Sequence, residues 1–288
     1  MNESDTFNTY RNYLFAIAYR MLSSAMDAED MVQETYLRWQ NRGEAEIESP
    51  KSYLAAIITR LCIDQLRSAR VQRETYVGPW LPEPILMETT NSEGMVAMSE
   101  SISMAFLLLL ESLSPTERAA FLLREVFEYE YAEVAQVVGK SEANCRQIVR
   151  RAKQHITNGR PRFETTFEEQ QNLLIEFTQA CTNGDLTGLM AVLADDVVEY
   201  SDGGGKVSAA TQPIHGADRV ARFILGILKK APPNLTQRLG IVNGEPAIIA
   251  YIENEPVVVM VLEIGNGRIQ NIYSINNPDK LQRIPYVK

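Results

Sequence analysis

The chain has 288 residues, 45% of them hydrophobic, with 37 acidic against 28 basic side chains and a formal net charge of −9. That length and apolar content suffice for two or three cores, and no apolar stretch is long enough to span a bilayer. Cys62, Cys145 and Cys181 lack CxxC or His pairing, so no disulfide framework, zinc site, other metal or cofactor is expected. The N-terminal MNESDTFNTYRNY has no basic region followed by an apolar one, which predicts a cytoplasmic protein with no membrane partner.

From about Phe7 to Leu22, the apolar residues Leu14, Phe15, Ile17, Ala18 and Leu22 predict a buried helix. SSAMDAED interrupts it, and Asp27 is the expected cap of the next helix, DAEDMVQETYLRWQ, whose first turn is acidic. Met31, Val32, Thr35, Tyr36 and Trp39 are expected inside, leaving Asp30, Gln33, Glu34 and Arg38 as a polar outer strip. NRGEAEIESP is a loop ending in Ser49 as N-cap and Pro50 as the first helical residue. The long helix beyond has an inward stripe of Leu54, Ile57, Ile58 and Leu61. Arg60, Arg67, Arg70 and Arg73, with Asp64 as their one acidic companion, are free to meet phosphate.

After Tyr76 the prolines of GPWLPEP stop regular structure, and a linker is expected there. Trp80 and Leu81 are expected to be an exposed pair in need of a surface. Helical patterning resumes at Met98, and SPTE at Ser114 to Glu117 is a capping box with Pro at the first helical position. RAAFLLREVF then leads to a short helix from Tyr131 to Val138, a turn at Gly139, and a second helix from its cap Ser141 to about Ile156. That is helix-turn-helix spacing. On the second helix Cys145, Ile148, Val149, Ala152 and Ile156 share one face; Ala143, Gln147, Arg150 and Gln154 lie opposite, flanked by Arg146 and Arg151. Arg can grip guanine and Gln adenine, each bidentately. Arg146, Gln147, Arg150, Arg151 and Gln154 are therefore candidate DNA-binding residues.

Lys140, Arg146, Arg150, Arg151, Lys153 and Arg160 face only Glu142 in this stretch, so basic charge is gathered in patches of an acidic chain. Non-specific DNA binding through such cations has a Kd of only ~10⁻⁴ to 10⁻⁶ M. The chain alone should hold DNA poorly and needs a larger partner to bring it there.

NGRPRFETT is a polar hinge. Beyond it come a helix, an NGD turn, a second helix and a first strand, then the glycine turn SDGGGK and the helix HGADRVARFILGILKK. Four strands follow, LTQRLGIV, PAIIAYI, PVVVMVLEI and RIQNIYSI, separated at hairpin spacing by NGEP, ENEP and GNGR. Helices followed by such a meander predict an α+β domain whose curved antiparallel sheet closes on the helices.

DAEDMVQETYLRW, RLCIDQLRSARVQR and the helix-turn-helix together resemble a bacterial sigma factor of the extracytoplasmic-function (ECF) group. The resemblance implies a sigma-2-like domain at 1–75, a linker at 76–97 and a sigma-4-like helix-turn-helix domain at 98–160. It implies that Asp30, Gln33 and Glu34 bind the clamp helices of core RNA polymerase. The helix of Arg60, Arg67, Arg70 and Arg73 would read and open the -10 region of promoter DNA, and the helix-turn-helix would read the upstream element. The acidic balance then fits, because polymerase carries the DNA affinity.

Residues 165–288 resemble the NTF2-like, SnoaL-like fold. WLPEP (Trp80, Leu81, Pro82, Glu83, Pro84), DGGGK (Asp202, Gly203, Gly204, Gly205, Lys206) and NPDK (Asn277, Pro278, Asp279, Lys280) make the chain similar to the ECF sigma factors that carry such an extension. The implied fold is two all-α helical domains followed by an α+β NTF2-like domain. The implied function is promoter-directed transcription initiation, regulated in cis by intramolecular docking of the C-terminal domain on the sigma-2 domain and linker.

Two other readings stay open. A polymerase-independent DNA-binding regulator could sense an unidentified small-molecule ligand in an NTF2-like pocket. An NTF2-like enzyme domain fused to a DNA-binding module could use Asp196, Asp202 or His215 for proton transfer, although no catalytic residue is assigned. A carboxylate or imidazole pointing into the domain's interior is the feature that keeps the enzyme reading alive.

Overall fold

The computed structural model describes residues 3–43, 47–73, 76–87, 102–159 and 166–286. The chain divides into two compact units, Met1–Thr75 with Phe106–Arg160, and Tyr76–Ala105 with Pro161–Lys288.

The first unit is helical. Helix α1 (Glu3–Leu22) ends at Ser23, whose φ of 56° turns the chain sharply. The turn leaves Ser24 extended, and its hydroxyl accepts from the Asp27 amide at 3.1 Å, so α2 (Ala25–Gln40) begins two residues before Asp27. Ser24, not Asp27, is therefore the cap, and Asp27 instead places its carboxylate in the first turn, where the helix dipole favours it. Val32, Thr35 and Trp39 are buried as expected, while Met31 and Tyr36 are only partly covered. Helix α3 (Pro50–Arg73) starts at Pro50 behind Ser49.

After the linker come α4 (Met104–Glu111), α5 (Pro115–Phe121), α6 (Tyr131–Val138) and α7 (Glu142–Gly159). The Ser114–Glu117 capping box is present in both directions. A single π turn at Leu122–Val126, closed by Phe127 N–H to the Leu122 carbonyl at 3.0 Å, extends α5. The helix start expected at Met98 lies outside the described residues, as does most of the NGRPRFETT hinge.

Helices from either side of the linker share this unit. Arg118, only 2% exposed, donates to the Met21 carbonyl at 2.6 Å and pairs with Glu111 at 2.7 Å. The Tyr13 hydroxyl donates to that of Tyr129 at 2.9 Å, and Ser52 Oγ donates to Glu133 at 3.0 Å.

The second unit is α+β. Helices α8 (Phe167–Asn183) and α9 (Leu186–Val192) lead into β2 (Leu193–Asp202); β3 (Ile214–His215) and α10 (Ala217–Leu228) follow. The meander is β4 (Leu235–Val242), β5 (Glu245–Ile252), β6 (Glu255–Gly265) and β7 (Arg268–Ile275). Each hairpin turns through residues of positive φ, namely Asn243–Gly244, Glu253–Asn254 and Asn266–Gly267, the geometry that matches the twist of the strands it joins. The four strands lie where the alternating pattern predicts them.

The linker is less irregular than its prolines suggest. Its Leu86–Met87 forms strand β1, and the sheet order is β1-β4-β5-β6-β7-β2-β3, with only the β2–β7 pair parallel. Asn243, at the β4–β5 turn, anchors this edge: its amide donates to the Ile85 carbonyl at 3.0 Å, and its side chain accepts from Ile85 N–H and donates to the Ile102 carbonyl, both at 2.8 Å. One sheet face packs on α8, α9 and α10 through Leu174, Phe177, Leu189, Val220, Ile224, Leu262 and their neighbours.

Candidate functional site

At the end of β2 the motifs WLPEP, DGGGK and NPDK meet around one carboxylate. Asp202 is fully buried and accepts from the Tyr76 hydroxyl at 2.6 Å, Leu81 N–H at 2.8 Å, Gly204 N–H at 3.1 Å and Lys280 Nζ at 2.7 Å. Its main-chain carbonyl receives Asn276 and Asn277 N–H, each at 2.8 Å. Such a set of donors satisfies a buried anion, which would otherwise be costly. Lys280 also donates to the Leu81 carbonyl at 2.5 Å, and its ammonium stands 4.1 Å from the centre of the Trp80 ring. Asn277 caps the 3₁₀ turn Pro278–Lys280 and donates to the Tyr76 hydroxyl at 2.9 Å. Lys206 and Asp279 form an outer ion pair at 2.5 Å.

Leu81, expected exposed, is 1% exposed, and Pro82, Glu83 and Pro84 are buried with it; Trp80 is half-covered. Burial pushes the Tyr76 hydroxyl far above its usual pKa, and its bond to the Asp202 carboxylate adds to the effect.

The glycines of the DGGGK turn are required by space as well as by backbone. A Cβ on Gly203 would sit 2.7 Å from the Val207 carbonyl oxygen; on Gly204, whose φ is +58°, it would sit 2.3 Å from Asn277 Nδ2 and 3.0 Å from the Tyr76 oxygen. Gly205, also at positive φ, is exposed.

In the helix-turn-helix, Gly139 takes the left-handed conformation at φ 67° that ends α6. On α7, Cys145, Ile148, Val149, Ala152 and Ile156 are buried, while Arg146, Gln147, Arg150, Arg151 and Gln154 are exposed. Arg146 is braced by Glu142 at 3.1 Å and lies 4.9 Å from the Tyr131 ring centre.

On α2, Asp30 and Gln33 are exposed; Glu34 is partly covered and pairs with Arg38 at 3.0 Å. Met26 and Leu37, 47% and 52% exposed, share that face at helical spacing with Asp30 and Gln33, adding apolar contacts that the polar strip did not predict. On α3, Arg67 is exposed with Asp64 at 3.4 Å, but Arg60 donates to the Gln136 and Val137 carbonyls at 2.7 and 3.2 Å, holding the C-terminal end of α6. Arg70 and Arg73 lie on the final turns of α3, with side chains outside the described residues.

Of the proton-transfer candidates, Asp196 and His215 are exposed and Asp202 is committed to the linker. The carboxyl that faces the interior is Glu199, which sequence reading missed; its place in the alternation Val197, Glu199, Ser201 on β2 is the signal that could have found it.

Residues 6–71 match the Sigma-70 region 2 family and residues 103–156 the Sigma-70 region 4 family. Over 98% of its length the chain is 34% identical to the ECF RNA polymerase sigma factor SigJ of Mycobacterium tuberculosis, covering 94% of that protein. The chain belongs to the ECF sigma factors. A second relative, the probable ECF sigma factor SigI of M. tuberculosis, is 30% identical over 96% of this sigma factor and 94% of its own length. The crystal structure of SigJ matches 96% of the chain and 97% of its own, with a TM-score of 0.77 at 32% identity. The C-terminal extension is thus shared along the whole fold, and two helical modules followed by an NTF2-like α+β domain is the architecture of this sigma factor. Among the described residues no helix is long and apolar enough to cross a membrane.

Proposed function

We propose that this sigma factor binds core RNA polymerase through the α2 face of Asp30, Gln33 and Glu34, directs it to promoters, and acts without catalysis of its own. In this reading α7 presents Arg146, Gln147, Arg150, Arg151 and Gln154 to the upstream element. Arg67, Arg70 and Arg73 meet the backbone near the -10 region, where they help hold the opened strand. Arg60 reaches DNA only if it first leaves the α6 carbonyls.

The C-terminal domain regulates initiation in cis by holding the WLPEP linker. The observation that carries this is the convergence on Asp202 of Tyr76 and Leu81 from the linker, Gly204 from DGGGK and Lys280 from NPDK. A linker held at both Leu81 and β1 leaves the chain between the promoter-reading modules fewer arrangements, and polymerase favours those it can accommodate. A coupling of about 1 to 3 kcal/mol is typical of such shifts.

Run-off transcription with core enzyme tests the reading, using the full chain, a version ending near Thr165 and one lacking the segment from Asn277 onward. Promoter-specific transcripts are expected from the full chain, with altered output from both shortened forms. Equal output from all three removes the regulatory part; no transcript from any removes the sigma role assigned to these residues.

A further inference from the structure

Glu199 lies on β2 with its side chain on the helix-facing side of the sheet, where it is 1% exposed. It is paired in register with Ile272 of β7, which belongs with Leu262 to the core under the helices. Ser201 Oγ donates to Glu199 Oε1 at 3.0 Å. Oε2 has no hydrogen-bond partner among the described residues, and neither has Ser274 Oγ, which is in register with Ser201. A buried polar atom left so costs about 1–3 kcal/mol, and two on adjacent strands mark a place where a further polar atom belongs.

The surroundings define its chemistry. From Ser201 and Ser274 the same row of the sheet continues through Met260 and Ile248 to Leu239, which is 50% exposed. Met260, with Ile214 and Phe223, is only partly covered where it packs on the core. An apolar strip thus leads from solvent to one carboxyl and two hydroxyls, the composition of a small-molecule site. Burial raises the Glu199 pKa to about 8, with the nearby Ser274 and Ser201 hydroxyls offsetting this only in part. At neutral pH the group is therefore a neutral acid with a proton to donate.

We propose that this helix-facing strip binds a small, largely apolar molecule carrying one hydrogen-bond-accepting oxygen, a ketone in the simplest case, with the Glu199 carboxyl donating to that oxygen. The site lies wholly within the C-terminal domain and does not depend on the transcriptional reading. A phosphate or carboxylate ligand is disfavoured because the row holds no cation.

Three probes of one shape test this on the full chain: 1-indanone, its hydrocarbon indane, and the ammonium 1-aminoindane. Binding is read from the methyl NMR signals of Met260 and Ile248 at about pH 6.5, below the titration of the carboxyl. Saturable shifts with 1-indanone are expected, with roughly tenfold weaker binding of indane and the same loss for indanone with Glu199→Leu. Glu199→Leu removes a buried polar group and is expected to stay folded, which its thermal midpoint checks. Glu199→Gln keeps a donor, so indanone binding should survive in it at about pH 9, where the native carboxyl has ionised and lost it. Absence of a saturable indanone shift, equal binding to Glu199→Leu, or preference for the ammonium each overturns the proposal and leaves Glu199 with buried water alone.

Discussion

Replacing Lys280 with Met isolates the worth of the linker clamp. Its ammonium bonds Asp202 Oδ2 at 2.7 Å and the Leu81 carbonyl at 2.5 Å, with the two charged side chains 12% and 0% exposed. Removing one member of a buried pair typically costs about 3–5 kcal/mol, because the other charge stays buried. Here Asp202 retains the Tyr76 hydroxyl and the Leu81 and Gly204 amides, so the lower end applies. About 2–3 kcal/mol is expected, equivalent to a roughly 30- to 150-fold rise in the opening equilibrium. The chain has two tryptophans, so a Trp39→Phe background leaves Trp80, against which Lys280 packs at 4.1 Å, as the reporter. Trp80 fluorescence followed through urea should show its transition at lower denaturant in Lys280→Met than in the background. Adding Asp202→Asn should recover part of the loss, since it removes the stranded charge. A shift below about 0.5 kcal/mol, the size of an exposed pair, or a double variant weaker than the single one by the full cost of each, would refute the argument.

Gly204→Ala should loosen the same clamp by about 1–3 kcal/mol, since it adds a methyl 2.3 Å from Asn277 Nδ2 at a φ of +58°; Trp80 fluorescence reads it, whereas the equivalent change at Gly226, which has open space, should be silent there. Glu199 should make the C-terminal domain pH-sensitive: its carboxyl titrates near 4.5 when unfolded and near 8 in the fold, so unfolding releases a proton between those values. Stability present in full below pH 4.5 is therefore lost as pH rises through 8, by up to about 1.4 kcal/mol per pH unit. Urea melts across this range should flatten in Glu199→Gln. Arg150→Ala should weaken recognition of the upstream element by about 1–3 kcal/mol and relax preference at one base if the side chain reads it; binding of holoenzyme to a set of single-base promoter variants distinguishes this from the uniform loss of a phosphate contact.

Periodicity made the helix-turn-helix and the β4–β7 meander readable, because burial of a face imposes a repeat of 3.6 or 2 on the residues that cover it. The five inward residues of α7 from Cys145 to Ile156 and the three hairpin turns are cases where local pattern and tertiary burial agree. Legibility failed where a partner distant in sequence decides the outcome. Nothing near Leu81 announces that Asp202 receives its amide, or that Leu86–Met87 pairs with Ile241 and Val242. Arg60 looked like its neighbours on α3, yet only the fold brings it to the carbonyls of Gln136 and Val137. Ser24 displaced Asp27 as the α2 cap because the backbone reversal at Ser23, a non-glycine residue, leaves no signal in composition.

The chemistry of the clamp also bears on why it is polar. Apolar residues of matching volume in place of a buried ion pair are often as stable or more so, so the Asp202–Lys280 pair is a poor device for permanent attachment. It is better suited to an attachment that must be correct in one arrangement and able to open: each bond to Asp202 has water as a ready substitute once the linker lifts, whereas Trp80 and Leu81 lose their cover together. Release then depends on a partner that offers Trp80 and Leu81 another apolar surface, or that draws the linker taut; strengthening the ion pair alone would fix the linker without improving its choice of register. An apolar replacement, Asp202→Leu with Lys280→Met, should therefore keep much of the domain's stability while blurring the register of the linker, seen as a Trp80 signal that no longer reports a single environment.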